Sequence, residues 1–130
     1  MSNPSLDIAT ILEEDGYGMI GKDIYATFDI PPKPDLIALV TTTGATEPDM
    51  ARIDYSFPII QVVVRGSLGG YLACSEKMYE IKDHLHGITS RQVNGMRYVY
   101  IYVSSPPIDL ELDDNRRPKM AATFMSMRSC

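Results

Sequence analysis

The chain has 130 residues, 45% of them hydrophobic and 22% charged, with a formal net charge of −5. That length suits one domain (1–130) with a continuous core, and the composition excludes a disordered chain. The acidic balance excludes a protein that grips duplex nucleic acid through a basic stripe, though not one that surrounds DNA without binding it.

Asn3 before Pro4 is a helix start, because the Asn side chain caps free N–H groups and proline pre-sets the first turn. The helix is predicted from Pro4 to about Asp15, with Ile8, Ile11 and Leu12 as its apolar stripe and Gly16 as its terminator. Glu13, Glu14 and Asp15 fall at the unfavourable end of the helix dipole and read as a solvated end. Between Lys22 and Asp29, Ile24, Ala26 and Phe28 alternate with polar neighbours, the period of a half-buried strand, and PPKP (31–34) stops it. LIALVTTT (36–43) is a second strand, followed by an exposed loop, GATEPDMAR (44–52).

DYSFPIIQVVVRG (54–66) is the third strand, apolar on both faces after Pro58, so its second half should be central and its first half at an edge or bulge. Tyr71, Cys74, Met78, Ile81 and Leu85 recur at helical spacing and mark the main helix, bounded by Ser67 and Gly87. VNGMRYVYIYVSS (93–105) is a fourth strand, with Val99, Ile101 and Val103 toward the helices and Tyr98, Tyr100 and Tyr102 away from them. PPIDLELDDNRRP (106–118) reads as a long excursion, and KMAATFMSMR (119–128) as the last strand. The order α-β-β-β-α-β-β predicts an α+β domain: two main helices packed on one face of a mostly antiparallel sheet of about five strands.

Chemistry is harder to find. His84 and His86 stand two apart, roughly 200° apart around a helix, so they do not share a metal. The acids from Asp109 resemble a calcium loop, but Asp114 and Met120 occupy the positions that need glycine and a bidentate acid. RGSLGG (65–70) matches no phosphate-binding fingerprint, and Cys74 lies on the buried helical stripe. No nucleophile has an identifiable base, so the chain is expected to be no enzyme and to need no cofactor and no metal. The cysteines, Cys74 and Cys130, lack the spacing of a disulfide framework or zinc site, which points to a reducing, cytoplasmic setting. The N-terminal MSNPSLDIATILEEDG has neither a basic flank nor an unbroken apolar core, so neither a classical signal nor a membrane span is expected.

Two helices hardly cover both faces of such a sheet. Tyr98, Tyr100 and Tyr102 are therefore the expected contacts with another subunit. Partner docking is expected on the 44–52 loop, with Glu47 and Asp49, and on the excursion, with Asp109, Glu111, Asp113, Asp114, Arg116 and Arg117.

The order of these pieces resembles the tail terminator, or minor capsid, proteins of long-tailed bacteriophages. The resemblance runs through EEDGYGMIGKDIYATFDIPPKPD (13–35), LIALVTTTG (36–44), YSFPIIQVVVRG (55–66), IKDHLHGI (81–88), VNGMRYVYIYVSSPP (93–107) and DDNRRPKMAATF (113–124), nearly the whole chain. It rests on order and spacing, above all on VRG–helix–LHGI followed by VNG–strand–SPP.

The resemblance implies a subunit of a homo-oligomeric ring, typically a hexamer, on the finished end of a tail tube. Such a ring stops tail polymerisation, faces the tail tube protein on one side and a head-completion or connector protein on the other, and lets DNA pass without sequence-specific binding. The implied place is the neck of the virion, after assembly in the host cytoplasm. The alternatives are a head-completion or stopper protein of the same neck, a small hydrolase or nucleotide-binding enzyme, and a non-catalytic monomeric adaptor.

Overall fold

Asn3 does cap the first helix: its side-chain oxygen accepts the N–H of Ser5 at 2.9 Å, and α1 runs over Pro4–Glu14. The computed structural model describes residues 3–26, 36–46 and 55–129. In chain order α1 is followed by β1 (Ile24–Tyr25), β2 (Ile37–Thr46), β3 (Tyr55–Arg65), α2 (Tyr71–Leu85), β4 (Ile88–Val93), β5 (Met96–Leu110) and β6 (Lys119–Ser129). The fold is α+β, with two helices among the described residues.

The sheet has six strands, not five, in the order β1-β2-β3-β6-β5-β4, and it is mixed: β1 runs parallel to β2 while the other neighbours are antiparallel. The extra strand is β4. It buries only Val93 fully and breaks its own period at Ser90 (φ 52°), so it leaves no alternation to read. Asn94 and Gly95, at φ 51° and 79°, form the two-residue turn that folds β4 onto β5.

Both helices lie on one face. Ile8, Ile11 and Leu12 of α1 and Cys74, Met78, Ile81 and Leu85 of α2 form one core with Val40, Val62, Val64, Ala122 and Phe124 of the strands. Pro58 interrupts the β3–β6 ladder, as a proline in a central strand must, and the Ser126 hydroxyl donates to its carbonyl at 3.0 Å.

Two irregularities in β5 overturn expectations. Tyr98 pairs with Arg128 but Tyr100 with Met127, so Val99 is an extra residue in the ladder. A side-chain period of two cannot survive an inserted residue, so Tyr98 changes sides and points at the helices, with Ile101 and Val103. Further along, Ser104 and the two prolines are absorbed at register shifts, and β5 continues to Leu110, opposite Lys119. The excursion therefore shortens to residues 111–118.

Candidate subunit and partner surfaces

The face of the sheet turned away from the helices is built from alternate positions of β3, β6 and β5. Register sets Ile59 beside Met125 and Met125 beside Tyr102; the next rows pair Gln61 with Thr123 and Tyr100 with Met127. Tyr100 and Tyr102 lie with ring centroids 5.5 Å apart, and the Tyr102 hydroxyl reaches the Met125 sulfur at 3.5 Å. Tyr102 is 39% exposed and Tyr100 half-buried, and no described helix packs on this face. The arrangement offers flat, amphipathic contact area and no reactive group.

Tyr98 does not belong to it. Its side chain is fully buried under α1, and its hydroxyl donates to Asp7 Oδ2 at 2.7 Å. Asp7, itself fully buried, also accepts from Asn94 Nδ2 at 3.0 Å and from Arg128 NH1 at 3.1 Å. Burial first, and then the Asp7 carboxylate, push the Tyr98 hydroxyl well above its usual pKa. This junction ties α1 to the β4–β5 turn, β5 and β6. It escaped the sequence reading, although Asp7 stands four residues before Ile11 on the helical stripe and Arg128 shares the parity of Phe124 in β6.

The acidic end of α1 is likewise tied down rather than solvated. Arg91 of β4 donates twice to Asp15, at 3.0 Å each, and once to Glu14 at 3.1 Å, while His84 Nε2 lies 2.5 Å from Asp15. The Arg91 fork holds the Asp15 carboxyl below its usual range; partial burial opposes this and His84 adds to it. His86, expected only to favour the helix dipole, accepts the Val103 N–H on Nδ1 at 3.0 Å.

Of the expected docking residues, Glu47 and Asp49 lie outside the described residues, and 44–46, expected in the loop, continue β2. Asp109 is exposed on β5, its carboxylate 3.4 Å from the Tyr71 hydroxyl, whose pKa it raises. Glu111, Asp114 and Arg116 are exposed. Asp113 and Arg117 are instead internal fastenings. Asp113 accepts the N–H groups of Asn115 and Arg117 at 3.0 and 2.8 Å and the Arg117 Nε at 2.7 Å, and Arg117 is buried. Desolvation works against the Asp113 charge, yet these donors hold its carboxyl below the usual range.

Other chemistry is sparse. Among the described residues no group of three His, Cys, Asp or Glu side chains is placed to hold a metal ion, and no helix is long and apolar enough to cross a membrane. Cys74 is buried with its Sγ 3.3 Å from the Val64 carbonyl, and burial raises the thiol pKa. An open depression of about 400 Å³ at the β4–β5 turn is lined by Glu14, Arg97 and their neighbours.

A protein-family model described as bacteriophage tail terminator protein matches residues 11–125. No curated protein matches the sequence. In fold the chain is similar to a solved chain from the virion of a native gene transfer agent particle, with a TM-score of 0.69 at 11% identity, covering 98% of this chain and 96% of that one. At that identity the likeness is one of fold alone.

Proposed function

Because the chain belongs to the bacteriophage tail terminator family, whose members are structural proteins of the virion, we propose that it works by capping. A ring of copies, six by the family resemblance, seats on the last ring of the tail tube and replaces its growth surface with one that admits no further tube subunit. The opposite side of the ring receives a head-completion or connector protein at the neck. The free energy comes from burying surface between subunits, and no covalent step or cofactor enters.

The family match over 11–125 carries this reading. The sheet supports it, because both helices pack on one face and leave Tyr100 and Tyr102 on the other, where a neighbouring subunit can bury them. Asp109, Glu111, Asp114 and Arg116 are the side chains of the β5–β6 end offered to tube or connector. DNA crosses the ring without sequence-specific contacts, in keeping with the chain's net charge of −5.

Electron microscopy of particles from the parent phage with this gene deleted tests the proposal. Tails that overgrow or vary in length, beside unattached full heads, are expected. Tails of normal length with leaking or unjoined heads would overturn it in favour of a head-completion role.

A further inference from the structure

The two broad surfaces of the domain differ in charge as well as in shape. On the open face of the sheet, the charged residues at described paired positions are Arg97 on β5, Arg65 on β3 and Lys119 on β6, and none is a carboxylate. Ile37 and Leu39 of β2 are already buried, so the accessible strip of this face is β3-β6-β5. Its middle is apolar and half-buried, with Ile59, Val63 and Met125 beside the two tyrosines.

The opposite surface is the outer side of α2. Leu72, Glu76, Tyr79 and Asp83 recur every three or four residues and so share one stripe, opposite the buried Cys74, Met78, Ile81 and Leu85. Leu72 is 76% exposed and Tyr79 45%, unusual for large apolar side chains on a helix already seated on a sheet. Glu80 flanks the stripe; Lys82, which pairs with Asp83 at 3.1 Å, is the cation beside it. The stripe is thus apolar with a negative balance, and the sheet strip is apolar with a positive one.

We propose that neighbouring copies join head to tail, with the outer stripe of α2 of one copy lying on the β3-β6-β5 strip of the next. This rests on the ring reading above and names the two surfaces that make the ring. Dimensions agree: three strands span about 10 Å between the outer two, close to the diameter of one helix with its side chains. Glu76 and Glu80 meet Arg97 and Lys119, while Leu72 and Tyr79 cover the tyrosine–methionine middle. A sheet-to-sheet contact would instead set Arg97 and Lys119 against their own copies, an arrangement that like charges oppose. Because the two surfaces lie on opposite sides of one domain, the contact is heterologous, and repetition closes a ring instead of stopping at a dimer.

The test uses the full chain with purified tail tubes as template, and far-UV circular dichroism to confirm that each variant is folded. The pair R97E/K119E and the pair E76K/E80K are each expected to lower ring occupancy on tubes at least about tenfold at low salt, and all four changes in one chain to restore most of it. In a Cys130→Ser background, Tyr79→Cys with Tyr102→Cys in the same chain is expected to give a ladder of covalent multimers on mild oxidation. A covalent dimer from Tyr102→Cys alone would overturn the proposal in favour of sheet-to-sheet pairing. Rings that form normally with both charge pairs reversed separately would overturn the assignment of surfaces and leave the ring intact. Failure of the unaltered chain to assemble on tubes at all would overturn the ring reading itself.

Discussion

Replacing Asp7 by asparagine changes almost no volume but removes the one printed carboxylate partner of Arg128, whose side chain is 7% exposed while that of Asp7 is not exposed at all. Removing one member of a buried ion pair strands the other charge, at a cost of about 3–5 kcal/mol. Arg128 keeps the Ser56 hydroxyl, 3.0 Å from its Nε, and the new amide still accepts from Tyr98. The expected loss is therefore about 3 kcal/mol, near the low end of that range. A domain of this size has roughly 5–15 kcal/mol in all, so the midpoint of thermal unfolding should fall by roughly 10 °C. The assay is urea unfolding followed by far-UV circular dichroism and by tyrosine fluorescence, available because the chain has eight tyrosines and no tryptophan. Arg128→Met on top of Asp7→Asn removes the stranded charge. The double variant should be more stable than the sum of the two single losses by about 1–3 kcal/mol. A loss under about 1 kcal/mol for Asp7→Asn, or strict additivity in the cycle, would refute the claim that this pair clamps α1 to the sheet.

The other expectations are simpler to state. Tyr98→Phe removes a hydrogen bond to a charged group and should cost about 1.5–3 kcal/mol in urea unfolding, whereas Tyr102→Phe should stay within about 0.5 kcal/mol of the parent. Tyr102→Glu should leave the unfolding midpoint near that of the parent while abolishing assembly on tail tubes, as seen by negative-stain microscopy. Gly95→Ala meets no atom within 4 Å at its new Cβ but must hold φ near 79°, so its cost, about 1–2 kcal/mol by denaturation, is one of backbone conformation. Asp15 and Asp113 bind a proton more weakly folded than unfolded, so their stabilisation is fully present above about pH 4 and is lost as pH falls through their lowered values. Urea midpoints across that window should drop, and Arg91→Gln should flatten the part due to Asp15.

Much of the fold was legible because it is periodic. α2 buries Cys74, Met78, Ile81 and Leu85 as its spacing predicts, and α1, β3 and β6 begin and end within a residue or two of their patterns. What escaped was aperiodic. β4 is an edge strand with little to bury, and its only strong signal was Asn94-Gly95, the turn that follows it. The prolines at 106 and 107 argued for a loop, because nothing local says that a neighbouring strand will tolerate them at shifts in register. Of the candidate surface, Tyr100 and Tyr102 were placed on the correct face and Tyr98 was not. The charged loop was read as uniformly exposed, whereas Asp113 and Arg117 close it from within, an i,i+4 pair without a helix to announce it.

The extra residue at Val99 explains how one run of tyrosines comes to serve two ends. Without it the alternation would set Tyr98, Tyr100 and Tyr102 on a single face, and Asp7 would lose the hydroxyl that now meets it at 2.7 Å. With it, the strand presents a tyrosine to the core near its start and two tyrosines to the outside after the shift. The inner one locks the helix layer through a buried charge, so the sheet is held by contacts that a neighbouring subunit never touches. The outer two carry little of the domain's own stability and are therefore available to be buried late, when a partner arrives. A surface that must be exposed before assembly and buried after it has to be separable from the core, and in this strand the separation is made by one bulge rather than by a second set of residues.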